Sequence, residues 1–115
     1  MIIYHNPRCR KSRETLALLR DNGIEPDIVE YLKEPLSSAE IRVIMDKLGD
    51  ASEQIVRVKE TLFKELGLRG KSLSEAEMCD LLAANPKLLE RPIVVDGSRA
   101  VLGRPPENVL SLIET

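Results

Sequence analysis

The residues best suited to chemistry lie in one short segment, residues 5–13, with the sequence His-Asn-Pro-Arg-Cys-Arg-Lys-Ser-Arg. Its cysteine, Cys9, is surrounded by four cations with no acid among them: Arg8, Arg10, Lys11 and Arg13. A thiolate is the reactive form of cysteine, and positive surroundings lower the pKa of a thiol well below its usual value of about 8.5. Because such a charged segment is a poor sequence for a core, we predict that Cys9 is a nucleophile and not a small buried hydrophobe.

Three residues near Cys9 limit the kinds of reaction that its thiol is expected to carry out. Ser12 stands where a dithiol redox motif needs a second cysteine, so this segment can form mixed disulfides but cannot close a local ring. Thr15, the sixth residue after the cysteine, stands where the loop of a low-molecular-weight phosphatase needs an arginine, which argues against that activity. His5 is predicted either to contact the sulfur as a cation or hydrogen-bond donor or to be a polar residue that ends a strand.

The elements on either side of Cys9 must position its sulfur. Residues 1–5 are β-branched and aromatic, which favours a short strand, and a helix is predicted from about Ser12 to Gly23. Residues 27–31 predict a second strand, and this strand–helix–strand order implies a right-handed parallel βαβ unit. Cys9 therefore lies at the N-terminus of the first helix, where free N–H groups and the helix dipole stabilise a thiolate or a bound oxyanion.

A helical segment is predicted after this unit, over about residues 37–84. Ser37 with Glu40, and Ser74 with Glu77, form capping-box patterns in front of apolar residues at helical spacing. Further helix is predicted around residues 52–57 and 59–66. This segment is an insertion between the two halves of the fold.

The second half of the fold follows the insertion. Residues 92–95 and 99–102 flank Asp96 and Gly97, a strong signal for a β-hairpin, and a last helix is predicted over about 106–114. The whole order is βαβ, helical insertion, ββα. It predicts an α/β protein with a thioredoxin-like core, a mixed four-stranded sheet and an inserted helical segment.

Composition bounds the class of protein. The chain has 115 residues, a net charge of −2, 43% hydrophobic and 31% charged residues, which predicts a single thioredoxin-like domain over residues 1–115. This balance predicts no binding to nucleic acid or to a membrane, and no apolar run approaches the roughly 20 residues of a membrane span. The N-terminus begins directly with a strand and shows no secretory signal, so a cytoplasmic location is expected. One histidine and two cysteines predict neither a metal site nor a disulfide framework, and Cys79 is expected in the core.

Several motifs in the chain resemble those of the glutaredoxin-dependent arsenate reductase family. Residues 5–13 match the family signature His-Asn-Pro-x-Cys-x-x-Ser-Arg. Three further features resemble the family in the same order along the chain: Arg57 ahead of the stretch 64–68, Glu-Arg-Pro-Ile-Val-Val at 90–95, and Gly-Arg-Pro at 103–105. The resemblance therefore covers essentially the whole chain.

This resemblance implies a thioredoxin-like fold with a helical insertion and no bound metal or organic prosthetic group. The Cys9 thiolate would attack arsenate to give a covalent adduct, and glutathione as co-substrate and glutaredoxin as partner would complete reduction to arsenite. The family's three oxyanion-holding arginines map onto Arg57, Arg91 and Arg104, whose guanidinium forks suit tetrahedral oxyanions. The supporting residues are expected to be His5, Ser12, Arg13 and Pro92. Pro92 stands where thioredoxin-like folds often place a cis-proline that faces the cysteine.

One departure from the family keeps other functions open. Arg10 and Lys11 stand where arsenate reductases of the family more usually have small residues, so these cations could crowd the oxyanion or recruit a different one. The alternatives are a glutathione-linked thiol reductase with another substrate and a non-enzymatic redox regulator. Regulators of this fold usually have a Cys-x-x-Cys switch, against which Ser12 argues. The protein is expected to act as a monomer.

Overall fold

Four short strands form one mixed sheet in the computed structural model, which describes residues 1–68, 70 and 72–113. The strands are β1 (Ile2–Tyr4), β2 (Asp27–Val29), β3 (Ile93–Asp96) and β4 (Arg99–Leu102). Their order across the sheet is β2-β1-β3-β4; β1 is parallel to β2 and antiparallel to β3, which is antiparallel to β4. The parallel βαβ unit and the mixed four-stranded sheet of a thioredoxin-like core are therefore confirmed.

Five α-helices accompany the sheet within the described part of the chain, and three of them lie between β2 and β3. The helices are α1 (Arg10–Asp21), α2 (Ser38–Leu48), α3 (Thr61–Glu65), α4 (Glu75–Ala84) and α5 (Leu110–Ile113). Both predicted capping boxes are present: the hydroxyls of Ser37 and Ser74 each accept an N–H three residues on, at 3.1 Å. Among the described residues, no helix is long and apolar enough to cross a membrane.

The β-hairpin is present, but its turn lies one residue later than predicted. Asp96 pairs with Arg99, so the two turn residues are Gly97 and Ser98, not Asp96 and Gly97. Gly97 has a φ of 60°, and glycine at the first turn position supplies this conformation without strain. Asp96 consequently remains in the strand.

Two predicted helical segments are partly 3₁₀ helix. The segment predicted around 52–57 is a 3₁₀ helix over Gly49–Gln54 that directly continues α2. The last helix begins as a 3₁₀ turn, Pro106–Val109, and becomes α5 afterwards, while residue 114 of the prediction lies outside the described residues. Such 3₁₀ turns are frequent at the ends of α-helices.

The alternation of side chains along β3 divides the core between the two faces of the sheet. Val94 belongs to the cluster on the face of α1 and α5, which contains Ile3, Leu16, Leu19, Val109 and Leu112. Ile93 and Val95 belong to the larger cluster on the opposite face, which α2 and α4 cover. The βαβ and ββα segments therefore share one sheet, while the helices of residues 38–84 complete its second face.

Gly103, directly after β4, is held against α1. A Cβ atom at Gly103 would lie 2.6 Å from Thr15 Oγ1 and 2.7 Å from Pro92 Cγ, which leaves no room for a larger residue. The Thr15 hydroxyl lies 3.3 Å from the Gly103 carbonyl, and the Gly103 N–H donates to the Pro92 carbonyl at 2.9 Å. This close approach brings the segments around Pro92 and Gly103 to the N-terminal half of α1.

Candidate active site

Cys9 is the N-cap residue of α1. Its backbone is extended, with φ −91° and ψ 123°, its N–H donates to the Asn6 carbonyl at 2.9 Å, and its carbonyl accepts the Arg13 N–H at 3.0 Å. The residue is 8% exposed. This geometry places the sulfur at the first turn of α1, where backbone N–H groups lack partners inside the helix.

The pKa of the Cys9 thiol is lowered, although burial acts in the opposite direction. Burial is the largest single influence and raises the pKa, because it disfavours the charged thiolate. It is outweighed by the backbone N–H of Ser12, by the charge and hydrogen bond of the Arg91 guanidinium, and by the N–H of Lys11. Cys9 is therefore more easily ionised than a free thiol, as the sequence predicted.

The cations next to Cys9 in sequence are not the reason for this shift. The side chains of all four are exposed, and none of their charges is among the causes that shift the pKa of Cys9: Arg8, Arg10, Lys11 and Arg13. Glu14, one residue beyond the segment, lies 2.8 Å from Arg10 and 3.7 Å from Lys11. The predicted electrostatic effect is therefore supplied by helix N–H groups and by Arg91, a residue far away in sequence.

His5 and Ser12 form a buried hydrogen-bonded pair beneath the cysteine loop. His5 Nδ1 lies 2.6 Å from Ser12 Oγ, and the same oxygen accepts the Asn6 N–H at 3.0 Å. Burial is the main cause that lowers the pKa of His5, which favours the neutral ring. Of the two predicted roles for His5, the geometry thus favours a polar residue at the end of a strand, which here bonds to Ser12, over a cation on the sulfur. Arg13 also supports the loop, because its Nη1 donates to the Pro7 carbonyl at 2.9 Å.

The three predicted oxyanion-holding arginines come together in one open cleft of about 700 Å³. Arg57, Arg91 and Arg104 all line this cleft, together with the carboxylates of Glu60 and Glu90. Cys9 is not one of the residues that line it. The connection is Arg91, which lines the cleft and whose charge also lowers the pKa of the Cys9 thiol.

Backbone pairing between distant segments positions Arg57 and Arg91. Val56 and Leu89 form an isolated antiparallel bridge; the Arg57 N–H donates to the Leu88 carbonyl and the Glu90 N–H to the Ile55 carbonyl, each at 2.7 Å. This pairing places Arg57 beside the 90–91 segment that enters β3. The Arg57 side chain then bonds to Glu60 at 2.8 Å.

Arg91 and Arg104 each precede a proline through a cis peptide bond. The bond before Pro92 is cis, as expected, whereas the cis bond before Pro105 was not predicted. Arg104 Nη1 donates to the Arg91 carbonyl at 3.3 Å, so the two arginines are in direct contact. Arg91 Nε is buried and has no hydrogen-bond partner among the described residues.

Sequence reasoning missed three residues of the site. Tyr31, 1% exposed, lies within the electrostatic influence of Cys9, Arg91 and Glu90; burial is the main cause that raises the pKa of its phenol to about 12. The phenol therefore stays protonated and available as a donor. Glu60 and Glu90 bring negative charge into the arginine cleft. For these three residues, the one signal available in the sequence was that Glu90 adjoins Arg91 in the family motif.

The fold and the site together define a thioredoxin-like protein with one activated cysteine beside an arginine-lined cleft. The chain belongs to the ArsC family, whose model matches residues 4–112, and the family predicted from the motifs is thereby confirmed. It is 51% identical to the E. coli (strain K12) "uncharacterized protein YfgD", over 96% of this chain and 94% of that one. It is 48% identical to an arsenate reductase of Haemophilus influenzae, over 98% of both chains. A solved structure, the arsenate reductase from Vibrio cholerae, has a TM-score of 0.89 and 46% identity over 96% of this chain and 94% of that one.

Proposed function

We propose that the protein is an arsenate reductase that takes its electrons from glutathione and glutaredoxin. The observation that supports this most directly is the position of Arg91, whose guanidinium charge lowers the pKa of the Cys9 thiol and which lines the cleft with Arg57 and Arg104. An oxyanion that bridges these guanidinium groups would meet charge-assisted hydrogen bonds close to the nucleophile. The relatives named arsenate reductases match this chain over nearly its whole length, which supports the same substrate.

Reduction of the oxyanion requires two thiols, Cys9 and glutathione, and a third thiol then restores Cys9. The Cys9 thiolate attacks arsenic(V), an S–As bond forms, and one arsenic oxygen leaves as water after taking up protons. The glutathione thiolate then attacks the Cys9 sulfur; the electron pair of the S–As bond stays on arsenic, which leaves as arsenite. Cys9 is left in a mixed disulfide with glutathione, and a second thiol delivered through glutaredoxin releases it.

External thiols are needed because the chain offers Cys9 no local partner. Ser12 replaces the second cysteine of a dithiol motif, and its hydroxyl is fully buried against His5. The remaining cysteine, Cys79, is 1% exposed and packs in the core cluster of α2 and α4. An intramolecular disulfide switch, the feature of the regulator alternative, therefore has no structural support among the described residues.

The cations that departed from the family pattern do not obstruct this reaction. The Arg10 side chain is 84% exposed and bonds to Glu14, and the Lys11 side chain is 45% exposed. Both side chains are therefore exposed and lie within ion-pair distance of Glu14. What Lys11 contributes to Cys9 is its backbone N–H, which any residue except proline supplies.

The proposal also covers the cellular compartment and the oligomeric state. A thiol that must return to the reduced state at each turnover fits a reducing cytoplasm, and neither step of the reaction requires a bound metal or prosthetic group. One chain supplies Cys9 and all three arginines of the cleft, so we propose that the monomer is the active species.

The test is arsenate-dependent oxidation of NADPH in the presence of glutathione, glutaredoxin and glutathione reductase. Wild type is compared with Cys9→Ser and with the matched control Cys79→Ser. We expect turnover in wild type and in the control, none in Cys9→Ser, and none when glutaredoxin is omitted.

Each other result points to a different correction. Turnover without glutaredoxin would remove that partner from the proposal and leave arsenate. No turnover with arsenate, in a folded protein whose Cys9 still reacts with iodoacetamide, would reject arsenate and favour a glutathione-linked thiol reductase with another substrate.

A further inference from the structure

A carboxylate lies inside the arginine cleft that is proposed to bind an oxyanion. Glu90 is about one-fifth exposed, and its Oε1 lies 3.6 Å from Arg104 Nη1 and 3.8 Å from Arg91 Nη1. The same oxygen accepts the Arg91 N–H at 3.2 Å. A site that only had to attract anions would gain nothing from a negative charge here, because like charges repel at short range.

The second oxygen of Glu90 is left for a ligand. Within the described residues, the hydrogen bond and both ion pairs of Glu90 use Oε1, and Oε2 is not a buried atom. The cleft therefore combines guanidinium groups, which donate, with a carboxylate oxygen that accepts no hydrogen bond from the described residues. A matching ligand needs both acceptor oxygens and an O–H group.

Glu60, another of the three carboxylates that line the cleft with Glu53 and Glu90, provides a contrast. Glu60 Oε2 lies 2.8 Å from Arg57 Nη1 and its Oε1 lies 3.5 Å from Lys87 Nζ. Both oxygens of Glu60 are thus engaged by cations of the protein. Glu60 orients Arg57, whereas Glu90 keeps an acceptor directed at solvent in the cleft.

We propose that Glu90 is a specificity-determining residue, which accepts a hydrogen bond from the protonated oxygen of a tetrahedral oxyanion and thereby excludes sulfate. Arsenate and phosphate keep at least one O–H near neutral pH, whereas sulfate is fully ionised. With sulfate in the cleft, the Glu90 carboxylate would face an oxygen that has no proton, so two acceptors would meet without a hydrogen bond. The inference rests on the proposed function, since it takes the arginine cleft to be the oxyanion site.

Phosphate and sulfate are the probes, because neither is reduced by a thiol. At a pH near 8, both are mostly dianions and differ by one O–H group, so charge alone cannot distinguish them. The measurement is protection of Cys9 from iodoacetamide as each anion is titrated, followed by mass spectrometry. The proteins compared are wild type, Glu90→Gln and the matched control Glu60→Gln, which loses the same charge from the same cleft.

In wild type, we expect phosphate to protect Cys9 at concentrations about ten-fold or more below those needed for sulfate, the selectivity of one charge-assisted hydrogen bond. In Glu90→Gln, the ratio should fall to about three-fold or less, because the new amide N–H can donate to a sulfate oxygen. In Glu60→Gln, both anions should bind differently from wild type but with an unchanged ratio.

Equal protection by the two anions in wild type would overturn the inference without any variant, as would protection by neither. An unchanged ratio in folded Glu90→Gln, or the same fall in Glu60→Gln, would also overturn it. A different result would reject the proposed function and leave this inference standing. If phosphate protects selectively through Glu90 and yet arsenate supports no turnover, the selective cleft stands and arsenate reduction does not.

Discussion

The two cysteines of the chain are both buried, yet the protein shifts their pKa values in opposite directions. Cys9 is 8% exposed and Cys79 is 1% exposed. Burial is the main cause that raises the pKa of Cys79, and the charge of Glu75 raises it further, with Arg42 opposing only in part. The pKa of Cys9 is lowered despite its burial. Burial alone therefore does not decide whether a thiol in this fold is reactive.

The difference follows from where each cysteine lies on its helix. Cys9 caps the N-terminus of α1, where the N–H groups of Lys11 and Ser12 are free to stabilise a thiolate. Cys79 lies inside α4, where N–H groups already bond to carbonyls one turn earlier. Its Sγ lies 3.6 Å from Met45 Sδ, a contact that fills the core and stabilises no charge. One thiol is thus held in surroundings that favour the thiolate, whereas the other packs in the core as a neutral group.

The largest effect that separates the two cysteines should be on activity. Cys9→Ser should lower arsenate-dependent turnover by at least about 10³-fold, since it removes the covalent nucleophile. Cys79→Ser should keep kcat within about two-fold but lower the free energy of unfolding by about 1–3 kcal/mol, because it buries a hydroxyl among apolar side chains. The coupled NADPH assay and urea unfolding measure the two effects. Loss of activity in Cys79→Ser at full stability would contradict the comparison.

Arg91 is the side chain that most distinguishes the surroundings of Cys9, so its removal should reduce the contrast. Arg91→Ala should weaken phosphate protection of Cys9 by about 10- to 100-fold and raise the pKa of the thiol. The measurement is the pH profile of iodoacetamide alkylation at both cysteines. Arg42→Ala is the matched control, because it should raise the pKa of Cys79 and leave the pKa of Cys9 unchanged. An unchanged alkylation profile of Cys9 in Arg91→Ala would show that the N–H groups at the helix N-terminus are enough to lower the pKa of the thiol.

At Ser12, the contribution of the backbone N–H can be measured separately from that of the side-chain hydroxyl. Ser12→Ala should lower the free energy of unfolding by about 1–3 kcal/mol, because the Asn6 N–H and the His5 ring lose a buried partner. The pKa of Cys9 should change little, since the Ser12 N–H that stabilises the thiolate remains. Urea unfolding and the alkylation profile test both points. The exposed Ser111→Ala should alter stability by less than about 0.5 kcal/mol. A large rise in the pKa of Cys9 would instead assign the effect to the hydroxyl.

The smallest expected effect is on the pH dependence of stability. Because the pKa of Cys9 is lower in the folded protein than in the unfolded chain, its thiolate adds stability that is fully present above the unfolded pKa of about 8.5. This contribution is lost as pH falls through the folded pKa. Wild type should therefore gain stability relative to Cys9→Ser as pH rises towards about 8.5, measured by urea unfolding at several pH values. The raised pKa of Cys79 predicts a loss of stability relative to Cys79→Ser only as pH rises above about 8.5, and a gain in that range would contradict the comparison.

The local features of the fold could be predicted from the sequence because short-range interactions decide them. The capping boxes at Ser37 and Ser74 depend on residues three apart, and both form. The position of Cys9 at the start of α1 followed from a strand, a break and an amphipathic helix in immediate succession. The turn at Gly97 was predicted one residue too early, because Asp-Gly and Gly-Ser both suit a two-residue turn and only the register of the strands distinguishes them.

The sequence by itself determined which residue is the candidate nucleophile, that it lies at a helix N-terminus, and which family motifs accompany it. Only the tertiary structure decided what activates the thiol. The neighbouring cations are exposed, while Arg91 approaches from the segment that precedes β3, the strand that pairs with β1. The tertiary structure also decided that Arg57 and Arg104 line one cleft with Arg91, through the bridge at Val56 and the close packing of Gly103. The physical reason is range: caps and turns arise from neighbours in sequence, whereas a site built from residues 9, 57, 91 and 104 exists only after the sheet and both of its cores have formed.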